Sequence, residues 1–250
     1  MPWVESISES FSARHEQDDA DGAEQVLAQL EATRERLAES FPRAPEGVAV
    51  VLHASAVQLA LAQPYLPLLR VLTAPAGRRY LAGWLSATEL HVLAPSPMLA
   101  RASKVPGSRE MLELTAAALY AQLVVAVNND RLPPPFRPAS FARYVRWAWL
   151  PVGAGQYFSG QTAFARPAIA TRLREGPTPS FPPGVRDATV LGGTVFDLVA
   201  QERGEAAAVE LASRMPKSGA AEALRHALPG HSHSELDDLW RGHLVQMAEP

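Results

Sequence analysis

The sequence predicts an α+β fold, a mixed sheet first and a helical part second, and three observations predict it. Alternating or β-branched runs, "VESISESFSARH", "GVAVVLHAS" and "YLAGWLSATELHVLAP", all fall before residue 96. After "APSPM" the apolar residues recur at helical spacing instead. No internal repeat, heptad array or low-complexity tract interrupts this order, so a layered domain is expected and not a solenoid or coiled coil. Residues 1–105 are expected to form a strand-helix-sheet subdomain and 106–250 a helical subdomain, within one continuous unit.

Each element has its own warrant. "VESISESFSARH" predicts one strand from residue 4 to 15, ending in the acidic turn "EQDDADG". From Ala23, the residues Val26, Leu27, Leu30, Leu37 and Phe41 keep helical spacing; Asp21 and Glu24 suit the positive end of the dipole, and Pro42 and Pro45 end the helix. "GVAVVLHAS" suits a buried strand, and residues 80–95 suit a hairpin with Tyr80, Ala82 and Trp84 on one face and a turn at Ser86 to Thr88. Ser108 is placed as the cap of one long helix reaching Asn128, whose second half is apolar nearly all round and therefore central. "NNDRLPPPFRP" is a loop stiffened by Pro133 to Pro135. Helices are expected at 139–148, 153–173, 187–202, 205–214, 218–227 and 233–247.

Composition excludes several classes. With 47% hydrophobic and 20% charged residues the chain is globular, and a net charge of −3 provides no broad basic field for nucleic acid. The absence of cysteine removes disulfides, thiolate nucleophiles and Cys-ligated zinc. "MPWVESISES" lacks the positive start and apolar core of a signal peptide, so a cytoplasmic location is expected. The most apolar stretch, 111–127, contains Glu113, Thr115 and Gln122 and falls short of the run of about 20 apolar residues that crosses a bilayer, so no membrane partner is expected.

The order of elements and several phrases resemble the peptidase MA-like family of gluzincin zinc metallopeptidases, over nearly the whole chain. In that family a helix bearing H-E-x-x-H precedes a helix opening with W-L-x-E-G-x-A-x-Y-F. "WLPVGAGQYFSG" reproduces the second phrase through Trp149, Leu150, Gly153, Tyr157 and Phe158, and "LGGTVFDLVAQERGEAAAVELA" and "HSHSELDDLWRGHL" resemble the C-terminal helices. The resemblance implies a zincin-like fold. Carried over residue by residue, it places the first histidine on Ala121, the glutamate on Gln122, the second histidine on Val125 and the third ligand on Val152. A register shifted by one, onto Tyr120, Ala121 and Val124, also lacks histidine and glutamate.

Those replacements remove the chemistry. A catalytic zinc of this kind needs three protein ligands and an open position for water, and two histidines four apart work because they share a helix face. The metal brings bound water from a pKa of about 15.7 to about 7, and the glutamate takes its proton. Methyl and isopropyl groups donate no lone pair, and the Gln122 amide cannot hold a proton. The resemblance therefore implies a catalytically inactive relative with no cofactor, serving binding, scaffolding or regulation toward a peptide, protein or small molecule. Gln122, Gln156 and Tyr157 are the candidate ligand-binding residues of the former cleft.

Two alternatives stay open: an active hydrolase with a relocated metal site, and a cleft that binds peptide without cleaving it. The relocated site falls on His231 and His233, in a segment that also holds His226, Glu235, Asp237 and Asp238. The plainer account there is Ser232 or Ser234 capping the last helix, with acidic residues at its positive end. "HEQDD" at His15 to Asp19 imitates a metal motif at a strand end, the wrong context for one. No G-x-S-x-G elbow occurs, and "LGGTVF" lacks the lysine of a phosphate loop. In "RYVRWAWLPVGAGQYF", Trp147 and Trp149 are expected to pack inside and Arg143 and Arg146 to face solvent or bridge to acidic neighbours.

Overall fold

The computed structural model describes residues 2–87, 89–132, 138–215 and 219–249. Five strands form one mixed sheet. β1 (Trp3–Ile7) and β2 (Phe11–Glu16) are antiparallel, β3 (Val48–His53) lies parallel to β2 after the crossover helix α1 (Ala20–Ser40), and β4 (Gly83–Leu85) pairs antiparallel with β5 (Glu89–Leu93), which is parallel to β3. The order β1-β2-β3-β5-β4 leaves an antiparallel strand at each edge. The α+β class holds.

The single strand expected at 4–15 is two. Ser8 and Ser10 form the turn, where Ser8 N donates to Phe11 O at 2.9 Å and Glu31 of α1 accepts from Ser8 Oγ and Ser10 N, each at 2.6 Å. A distant carboxylate thus fixes a bend that alternation alone does not reveal. α1, β3 and the β4–β5 hairpin lie where expected; Thr88, in the hairpin turn, is outside the described residues. Three short helices between β3 and β4 were not expected: α2 (Ala56–Ala62), α3 (Tyr65–Leu72) and α4 (Pro75–Arg78).

Helices α5 (Pro95–Leu99) and α6 (Ser108–Glu113) lead to α7 (Thr115–Asn128). The long helix expected over 108–128 is broken at Leu114, whose ψ of 6° leaves the helical range while Thr115 Oγ1 donates back to Leu112 O at 2.6 Å. Gly107, with φ of 80°, precedes α6, and the Ser108 hydroxyl accepts from Ser103 N instead of capping the helix. α7 is nevertheless the central helix. Every residue from Thr115 to Val125 is buried, between the sheet and its neighbours.

The remaining helices are α8 (Pro138–Trp147), α9 (Trp149–Phe158), α10 (Arg166–Arg174), α11 (Val185–Arg203), α12 (Glu205–Ser213), α13 (Ala220–Ala227) and α14 (His233–Ala248). The helix expected at 153–173 is thus two, parted at Gly160, whose φ of 82° suits glycine. Pro133 to Pro135 and Ser218 lie outside the described residues. Two buried polar links fasten the C-terminal helices. Arg172 meets Asp187 through Nε–Oδ1 at 2.5 Å and Nη2–Oδ2 at 2.9 Å, and Trp240 Nε1 donates to Thr194 Oγ1 at 2.8 Å. No helix among the described residues is long and apolar enough to cross a membrane.

Candidate functional site

α7 and α9 cross closely because glycine lets them. A Cβ on Gly155 would fall 2.6 Å from Ala118 O of α7, and one on Gly192 of α11 would fall 2.9 Å from the Cα of Gly153. The glycines of "WLPVGAGQYF" are therefore helix-contact positions, and Trp149 and Phe158 of the same phrase are buried core residues.

Above this crossing, next to edge strand β4, lies a cavity of about 50 Å³. Thr115, Ala118, Leu119 and Gln122, at the spacing of one helix face, supply its α7 wall; Val152 and Gln156 of α9, Thr189 and the ring-bearing Trp84 and Tyr144 complete much of the rest. Tyr144 of α8 approaches Trp84 at 5.5 Å between ring centroids, and Phe141 at 6.2 Å, so α8 covers the strand that flanks the cavity. Burial pushes the Tyr144 phenol up.

Of the four positions aligned with the catalytic set, Gln122 and Val152 line this cavity. Ala121 and Val125 do not; both are fully buried in the hydrophobic core, Ala121 turned from the cavity face by the helical phase of α7 and Val125 lying further along the helix, beyond Gln122. Gln156 is fixed to α11: its Nε2 donates to Thr189 O, and its Oε1 accepts from Gly193 N at 2.8 Å. Tyr157 is not in the cavity wall. It is half-buried against Phe158 and Phe196, with ring centroids at 5.1 and 6.4 Å, and burial followed by Glu205 and Asp197 pushes its phenol up.

The cavity chemistry is that of amides, hydroxyls and hydrocarbon. Gln161 donates to Met111 O and Thr115 to Leu112 O, so these wall groups, like Gln156, already serve backbone partners. The Gln122 amide has no hydrogen-bond partner among the described residues. No histidine, aspartate or glutamate stands in the described wall, so a general base and an anionic metal ligand are both missing from it. A volume of about 50 Å³ holds one or two waters and excludes a peptide.

The C-terminal histidines stand apart from each other's chemistry. His231 and His233 are exposed, with His233 beside Phe181 at 5.9 Å between rings. Ser232 between them closes a capping box: its Oγ accepts from Glu235 N at 3.3 Å, and its N donates to Glu235 at 2.7 Å, which holds that carboxyl below its usual range. Asp237 pairs with Arg241. His15 is buried and bonded to Ser6 Oγ and Glu16 O. Among the described residues no three His, Asp or Glu converge to hold a metal ion. Arg143 and Arg146 are exposed, Trp149 is buried and Trp147 half-buried.

One polar group escaped sequence reasoning. On the sheet face covered by α2, His53 Nε2 and His91 Nδ1 lie 3.1 Å apart, His91 Nε2 is 3.0 Å from Glu89, and Glu89 pairs with Arg14. Two histidines within runs read as buried strands were the available signal, but only the parallel register brings them together. No family model matches this chain, and no curated protein and no solved structure matches it.

Proposed function

We propose that this chain is a catalytically inactive relative of the gluzincin metallopeptidases, built on a zincin-like form of the α+β fold, that binds, scaffolds or regulates in the cytoplasm without nucleic acid. The observation that carries this reading is the wall of the cavity beside β4. Where the resemblance calls for a glutamate base and a third ligand, Gln122 and Val152 stand, and where it calls for histidines, Ala121 and Val125 are sealed in the core. Without ligands or base, no hydroxide forms at neutral pH there.

The cavity's size argues against peptide binding inside it, so binding is assigned to the outer surface. Nothing at His231 and His233 favours a relocated site, since the serine between them serves as a helix cap. The test is metal analysis of protein purified without added zinc, alongside hydrolysis assays on peptide pools. Neither stoichiometric zinc nor cleavage is expected. Stoichiometric zinc abolished by substitutions at 121, 122, 125 or 152, or by His231→Ala, would sink the proposal.

A further inference from the structure

A groove of about 500 Å³ runs along the outward face of α10, against about 50 Å³ for the cavity beside β4. At about 100° per residue, Arg166, Ala170, Arg174, Pro167 and Thr171 fall within one arc of about 140° and form its α10 wall. Ala168, Ile169 and Arg172 point the other way and are buried. The facing walls are Val105 and Pro106 ahead of α6, Phe164 in the turn Gln161–Phe164, and Ala248 at the end of α14. Phe164, 41% exposed, and Val105, 40% exposed, offer large apolar surface to a partner.

The walls are held in place and the charge is built into them. A Cβ on Gly107 would fall 2.2 Å from Phe164 O, so the loop before α6 lies hard against that turn. Arg166 Nε donates to Met247 O at 3.1 Å, which ties α10 to the end of α14 and leaves its Nη groups without a hydrogen-bond partner among the described residues. Walls fixed beforehand spare a partner the cost of ordering them. Arg166 and Arg174 both line the groove on either side of Ala170, and among the described residues neither pairs with a carboxylate. Glu249, the one acidic residue of the described wall, forms an ion pair with neither.

We propose that this groove docks an extended acidic peptide segment of a partner protein, with carboxylates on Arg166 and Arg174 and an apolar side chain on the floor between them. The two arginines are eight positions apart, about 12 Å along the helix axis. An extended chain covers that span in about four residues and turns alternate side chains to one side. The segment that fits therefore has an acidic residue, an apolar one two places on and a second acidic one two places beyond. Concavity and charge select this occupant. A bilayer is met by apolar side chains that protrude, whereas this arc of α10 offers only proline, alanine and threonine besides its arginines. A second copy meeting the groove by two-fold symmetry would set the same arginines on both sides of the contact. No groove residue lines the cavity beside β4, so the proposal stands apart from the metallopeptidase reading.

The experiment is fluorescence anisotropy of the full chain with a labelled peptide of nine residues, glutamates at its third and seventh positions, leucine midway between them, and glycine or serine elsewhere. Saturable binding is expected, weakened by salt, by glutamine in place of the glutamates, and by serine in place of the leucine. Arg166→Gln with Arg174→Gln should weaken it about tenfold, at roughly threefold per exposed ion pair. Arg174→Glu should reverse the preference, favouring a peptide with lysine in place of one glutamate. Ala170→Trp, which fills the floor, should abolish binding. Both arginines are exposed, and thermal unfolding curves like the parent's confirm that the variants fold. No binding, binding indifferent to the peptide's charges, or binding untouched by the arginine variants would overturn the proposal. Sedimentation with anionic vesicles, or self-association lost on Ala170→Trp, in the absence of peptide binding would overturn it in favour of a membrane or a second copy.

Discussion

At position 122 an amide stands where a carboxylate would complete the catalytic helix of the resembling family, and the difference is measurable. A carboxylate placed there by Gln122→Glu would enter a cavity without cation or metal, and its desolvation would raise its pKa above the ordinary glutamate value. A folded pKa raised above the unfolded one leaves stability unchanged at low pH and lowers it as pH rises. The variant should match the parent near pH ~4 and lose about 1–3 kcal/mol by pH ~7 in urea unfolding. It should gain no hydrolytic activity. Equal stability at both pH values would mean that water or a cation reaches the site. The buried Arg172–Asp187 pair has the opposite logic, because its charges satisfy each other: Asp187→Ala strands a guanidinium and should cost about 3–5 kcal/mol in the same assay. The identities at 121, 122, 125 and 152 could be read from the sequence; which of them line a cavity depends on helical phase and neighbouring helices, which the sequence does not display.

Among elements, legibility followed the strength of periodicity. α1, β3, the β4–β5 hairpin and the buried α7 were all visible as long or strongly apolar patterns. α2 and α3 were invisible because they are short and apolar on several sides, so no stripe distinguishes inside from outside, and α4 because it is a single turn of four residues. The breaks at Ser8–Ser10 and Leu114 escaped for a different reason: a side chain bonding to backbone decides each, and for the first that side chain is Glu31, far along the chain. Glycine at element contacts gives two predictions of opposite sign. Gly192→Val forces α11 away from α9 and should destabilise by about 1–3 kcal/mol or more, whereas Gly242→Ala, at an exposed position of α14 with nothing within 4 Å of the added carbon, should stabilise by about 0.5–1 kcal/mol. A denaturant midpoint left unchanged or raised by Gly192→Val would show that the close approach of α9 and α11 yields without strain.

At the scale of the whole molecule, the sheet joins two histidines that the sequence separates by a hairpin and three helices. Register places Val51 opposite His91 and His53 opposite Leu93, so both imidazoles lie on the face covered by α2. Hydrogen bonding is complete when His91 Nε2–H donates to Glu89 and its bare Nδ1 accepts from His53 Nε2–H. A proton added to this arrangement breaks it. Burial, then the neighbouring His91, pushes His53 down to about 4 against a partial opposing pull from Glu89; burial lowers His91 as well, with Glu89 opposing and Arg14 reinforcing. Both folded values lie below the unfolded value of about 6.5, so between roughly pH 6.5 and pH 4 the unfolded chain binds more protons than the folded one. Stability is therefore full above that window and is lost as pH falls through it. The His53 shift alone converts to an upper bound of about 3 kcal/mol, and solvent at the partly exposed Glu89 end of the network reduces the expectation to about 1–2 kcal/mol. Urea unfolding across the window should show this loss, and His53→Gln should flatten the dependence by removing the titrating group while keeping a donor for His91. An unchanged slope in that variant would assign the pH dependence to other groups and leave the pair a structural contact between β3 and β5.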